Sequence, residues 1–125
     1  MYIMAMGATH VTVAISNPGE PQRHWEGLFL ADTGAIDCIA PAKHLRSIGI
    51  LPRCKRTYEL ANGTEIVMEI GVATVEFMGE VVGATIIFGA DNVEPILGVT
   101  ALESVGNEVD PQNQRRKRLP AVRLK

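Results

Sequence analysis

Asp32 restricts the fold of this chain more than any other residue. An apolar run, Gly27-Leu28-Phe29-Leu30-Ala31, leads into Asp32-Thr33-Gly34-Ala35, and the chain turns apolar again through Cys38-Ile39-Ala40. Two hydrophobic flanks carry the acid toward the interior, where an unpaired charge is expensive. The fold must therefore give Asp32 a partner, and Gly34 places it at a tight turn between strand-like segments.

The rest of the chain also reads as strands. His10–Ile15 stops at Ser16-Asn17-Pro18-Gly19, His24–Ala31 ends at the Asp32 turn, and Ile36–Ala40 is a short third strand. Pro41–Gly49 has Pro near its start and Gly at its end, the pattern of a brief helix. Lys55–Ala61 and Thr64–Ile70 flank Asn62-Gly63, which predicts a hairpin with a type I′ turn and positive φ at both central residues. The second arm continues to Phe77, turns at Met78-Gly79-Glu80 and returns through Val81–Phe88. Pro95-Ile96-Leu97-Gly98 follows, and Val99–Val105 is expected to be a helix closed by Gly106.

At 125 residues the chain is one domain with room for a real core. Its 46% apolar and 21% charged residues lie in the range of ordinary soluble proteins. No apolar run approaches the roughly 20 residues that span a bilayer, and no basic stretch precedes an apolar one at the N-terminus. Cys38 and Cys54 form no CxxC; a disulfide stays open, but two free thiols in a reducing cytoplasm are expected. His10, His24 and His44 lack metal-ligand spacing, so no metal or other cofactor is expected.

Charge is uneven. Residues 1–114 carry 6 basic and 14 acidic side chains, whereas Arg115–Lys125 carries six basic and no acidic ones. The domain is accordingly drawn as 1–111 and the basic tail as 112–125. A solvated tail is the plain reading. Nucleic-acid binding is disfavoured because the tail lacks interleaved aromatics and the acidic body would repel phosphates.

Asp32-Thr33-Gly34-Ala35 at the end of an apolar strand, with Ile96-Leu97-Gly98 leading into a helix, resembles the retropepsins, the dimeric aspartic proteases of retroviral type, and their bacterial and archaeal relatives. The order of hairpins between the two motifs agrees, the resemblance covers about residues 8 to 106, and Asn107–Pro111 looks like the end of the microbial members. It implies an all-β, retropepsin-like half-barrel with a flap hairpin and one or two short helices, working as a homodimer on a peptide or protein substrate, without a membrane. The implied catalytic residues are Asp32, Thr33 and Gly34. Thr33 would hydrogen-bond across the two-fold axis. The implied substrate-binding residues are Ala35, Asp37, Asn62, Gly63 and Ile96, with apolar side chains favoured at the cut.

One carboxylate cannot both take a proton from water and protonate a leaving amine, whereas two in contact share a proton and divide the roles. The chain has one Asp-Thr-Gly. Asp37 is too near Asp32 in sequence, Asp91 sits beside Asn92 in a loop, and Asp110 precedes Pro111, so the partner is expected to be Asp32 of a second copy. A catalytically idle dimerisation or peptide-binding module is the alternative reading. Many retroviral members pair an acid after D-T-G-A with an Arg after the second Gly. Ile36 and Val99 stand there instead, so an apolar contact is expected to replace the pair, with Asp37 supplying some of the substrate contacts. Trp25 and Tyr58 are expected to cover core or a dimer surface.

Overall fold

A computed structural model of the protein describes residues 9–109. The alternation of apolar and polar residues becomes strands β1 (Thr9–Asn17), β2 (Glu20–Ala31), β3 (Cys38–Pro41), β4 (Cys54–Glu59), β5 (Glu65–Phe77), β6 (Glu80–Gly89) and β7 (Ile96–Leu97). Helix α1 (Ala42–Ser47) follows β3, and α2 (Val99–Val109) follows β7. The sheet runs β1-β2-β7-β3-β6-β5-β4, and β1 also pairs with β5, so six strands close into a barrel. β4 hangs outside that ring, paired with the first half of β5.

Strand alternation puts one face of each strand inside. Val13 and Ile15 of β1, Phe29 of β2, Val75 and Phe77 of β5, Ile86 of β6 and Leu97 of β7 are all essentially buried. Each such side chain contributes roughly 1.5–3 kcal/mol through removal from water. Trp25 is half-buried at the rim, stacked on His44 of α1 at 4.4 Å and tilted against Phe29 at 5.7 Å. These contacts hold α1 against β2. Gly27 leaves the space that the Trp25 ring needs, since a Cβ there would lie 2.9 Å from ring carbons. A second, smaller cluster groups Ile39, Tyr58, Ile70 and Ile87 beneath β4, with Ile96 against it. Trp25 and Tyr58 therefore both pack on core.

Two local expectations change. The Asn62-Gly63 hairpin forms, but Asn62 does not have positive φ, and Gly63 alone does, at 87°. The Gly63 amide donates to Leu60 O at 2.9 Å and the Leu60 amide to Thr64 O at 2.7 Å, which makes a three-residue loop closed by a left-handed glycine. The type I′ pair is instead Met78 (φ 53°) and Gly79 (φ 81°), joining β5 to β6. Second, Gly106 does not end α2, which runs to Val109; one helical glycine costs only about 1 kcal/mol. Asp110, the end of the Asn107–Pro111 run, the domain boundary at 111 and the basic tail 112–125 lie outside the described residues. Among the described residues no helix is long and apolar enough to cross a membrane.

Candidate active site

The loop 32–37 leaves the barrel where β2 and β7 run parallel, with Leu30 opposite Ile96 and Ala31 opposite Leu97. The Asp32 amide continues that pairing by donating to Leu97 O at 3.1 Å. The Ala35 amide donates to Asp32 O at 3.1 Å, and the Gly34 amide to Asp32 Oδ1 at 2.8 Å. Backbone bonds thus fix both the position and the rotamer of Asp32. Its side chain is buried, at 8% exposure, beside half-buried Thr33 and Gly34 and buried Ala35.

The second motif supports the loop from behind. The first amides of a helix have no partner within it. In α2 those of Val99 and Thr100 donate to the carbonyls of Ala35 and Ile36, at 2.8 and 3.2 Å. The Thr100 hydroxyl adds a bond to Ile36 O at 2.9 Å. Gly98 makes this approach possible, because a Cβ there would meet Asp37 C and O at 2.6 Å. Where an ion pair was expected to give way to an apolar contact between Ile36 and Val99, main-chain bonds and the Thr100 hydroxyl join the two segments.

Asp37 is buried, at 6% exposure, and does not face open solvent. Its Oδ2 accepts the Tyr58 hydroxyl at 2.6 Å and the Arg56 guanidinium at 3.1 Å, both from β4. Burial, then the bond to Asp37 and its charge, push the Tyr58 hydroxyl above the usual tyrosine range. Ile96 lies between β2 and β3, opposite both Leu30 and Ile39. Asn62 and Gly63 are exposed at the tip of the β4–β5 hairpin, where Asn62 Oδ1 accepts the Thr64 amide at 2.9 Å. The backbone therefore gathers Asp32, Thr33, Gly34, Ala35 and Asp37 in one loop with Ile96 beside its entry, while Asn62 and Gly63 belong to the β4–β5 hairpin.

In the sequence, Arg56 and Thr100 have no visible role at the site, and Tyr58 only that of covering core or a dimer surface. The available signal was Tyr58, the one aromatic residue among the six of β4, with Arg56 two residues before it on the same face. Cys38 and Cys54 are both free thiols, and burial pushes Cys38 up to about 11. Among the described residues no three His, Cys, Asp or Glu side chains converge to hold a metal ion. A cleft of about 350 Å³ lies at the β1–β2 turn, lined by residues that include Asn17, Ile50, Leu51 and Arg53 but none of loop 32–37.

No family model and no curated protein sequence matches the chain. Among solved structures, the EIAV protease complexed with an inhibitor matches with a TM-score of 0.58 at 17% identity, covering 85% of this chain and 95% of that one. This chain has a retropepsin fold. At that identity the likeness is one of architecture. The neighbour is a retroviral enzyme, so it carries the retropepsin resemblance and not the microbial affiliation implied by Asn107–Pro111.

Proposed function

We propose that the protein is an aspartic endopeptidase whose active site forms when two copies meet at their Asp32 loops. The supporting observation is an intact Asp-Thr-Gly in a retropepsin fold, its Asp32 carboxylate buried and oriented by backbone bonds at the end of an apolar strand. Each chain supplies one such loop, so a two-fold arrangement provides the second carboxylate. Thr33 of each chain bonds across the axis and keeps the two acids coplanar.

Two carboxylates in contact cannot both ionise, so the pair shares one proton. The ionised member takes a proton from a water held between them, and the water oxygen attacks the scissile carbonyl carbon. The protonated member donates its proton to the amide nitrogen as the C–N bond breaks, leaving a new carboxylate and an amine. The substrate lies extended, bonded through its main chain as an added strand. Asn62 and Gly63 of both hairpins close over it as flaps, and Ala35 and Ile96 wall pockets for apolar side chains. Asp37 supports this site from inside the protein, through Arg56 and Tyr58.

A statine-type inhibitor, which mimics the tetrahedral intermediate, tests the shared site by titration calorimetry on the full chain. One inhibitor bound per two chains is expected, with sedimentation as a dimer. One inhibitor per chain, or a monomer that binds none, would contradict the reading.

A further inference from the structure

Asp37 touches both halves of the proposed machinery. Its backbone packs against Gly98 at the start of α2, and its carboxylate receives Tyr58 and Arg56 from β4. Tyr58 is 3% exposed, with Ile39, Ile70 and Ile87 in its cluster, and Leu60 and Met68 pack against that cluster. Beyond Tyr58 the hairpin from Glu59 to Val67 is exposed except for half-buried Leu60. The hairpin therefore has a base fixed at Tyr58 and an outer part without a packed face.

We infer that Asp37 is a positioning residue that fixes the base of the β4–β5 hairpin to the loop carrying Asp32, so that the hairpin bends beyond Tyr58. The inference rests on the peptidase reading for what the hairpin closes upon, but the anchor stands on its own geometry. A carboxylate that is buried and doubly bonded holds its partners in one arrangement, and because both donors lie on β4, removing one loosens that arm of the hairpin rather than the barrel. Flap register follows from that anchor. Its loss weakens capture of the extended substrate more than it slows the chemistry.

Hydrogen–deuterium exchange on the full chain tests the anchor, using wild type, Tyr58→Phe, Asp37→Asn and the double variant. Tyr58→Phe keeps the ring in its cluster and Asp37→Asn keeps the side-chain shape, so the barrel is expected to stay folded. Hairpin amides between Thr57 and Met68 should exchange about tenfold faster in each single variant. The double variant should exchange no faster, and the amides of Val13, Ile15 and Ile86 should be unchanged. In peptide cleavage, Tyr58→Phe should raise KM about tenfold while kcat moves by less than about twofold. Wild-type exchange in the hairpin, additive effects in the double variant, or a fall in kcat at constant KM would overturn the inference. Failure of wild type to cleave any peptide would sink the peptidase reading instead, and exchange would still decide the anchor.

Discussion

Gly98 and Asp37 are in backbone contact closer than any side chain permits: a Cβ on Gly98 would lie 2.6 Å from the Asp37 carbonyl carbon and oxygen. The helix start and the Asp32 loop are locked together through this contact and the bonds from Val99 and Thr100. Gly98→Ala meets backbone, which cannot swing aside, so a loss of about 3 kcal/mol is expected, at the upper end of overpacking costs. Urea unfolding checks it, as a lowered midpoint at constant m. An unchanged midpoint would mean the loop and helix are not packed this way.

Thr100→Val removes the hydroxyl bond to Ile36 O and keeps the side-chain volume, while the Thr100 amide still donates to the same oxygen. The expected loss is about 1 kcal/mol. Ser104→Ala also removes an exposed hydroxyl bond, to Thr100 O within α2. It should be nearly neutral, because no loop carbonyl depends on it. Equal losses in both variants would show that the hydroxyl has no special part in holding the loop.

Met78 holds φ 53° in the turn between β5 and β6, with its side chain 55% exposed. A left-handed conformation is costly for a residue with an unbranched apolar side chain, and Asn tolerates it best beside Gly79. Met78→Asn should therefore stabilise the protein by about 0.5–1 kcal/mol, read as a rise in melting temperature. A lower melting temperature would show that Met78 makes a contact worth more than the strain.

Local chemistry explains which parts of this architecture were legible beforehand. Apolar runs bounded by turn residues marked the strands that hold Val13, Ile15, Phe29, Val75 and Phe77, and a period of two then places such residues on one face whatever the partner strand is. Asp32-Thr33-Gly34 and Ile96-Leu97-Gly98 were visible because each motif is contiguous. The anchor was not: Asp37 meets Arg56 and Tyr58 only because the fold brings Tyr58 of β4 onto the cluster that holds Ile39 of β3, a tertiary fact. Thr100 looked like an ordinary helix residue, since the carbonyl it bonds belongs to Ile36 in another segment. At Asn62-Gly63 the dipeptide named the hairpin but not the turn, because a left-handed Gly63 serves a three-residue loop as well as a two-residue one.

Cys38 gives a pH signature. Its thiol rises from the free value of 9.0 to about 11, first through burial and also through the Asp37 charge, against a bond from Gly98. The raised value means the folded state favours the neutral thiol. That contribution is fully present below about pH 9 and is lost as pH climbs toward about 11. Tyr58 is displaced in the same direction and steepens the loss at still higher pH. Cys38→Ala should flatten the stability profile between those two values, followed by denaturant melts across alkaline pH. Cys54, exposed on β4, should react with a thiol reagent in the native protein while Cys38 waits for unfolding. Equal reaction rates would contradict the burial of Cys38.

In the proposed enzyme, two Asp32 carboxylates, one from each chain, form one peptide-hydrolysing site. Wild type and Asp32→Asn, both full length, should be incubated with a mixed peptide library from acid to neutral pH and the products read by mass spectrometry. Cleavage between apolar residues by wild type alone, abolished by a statine-type inhibitor, is expected. No cleavage at any pH, or equal cleavage by both proteins, would contradict it.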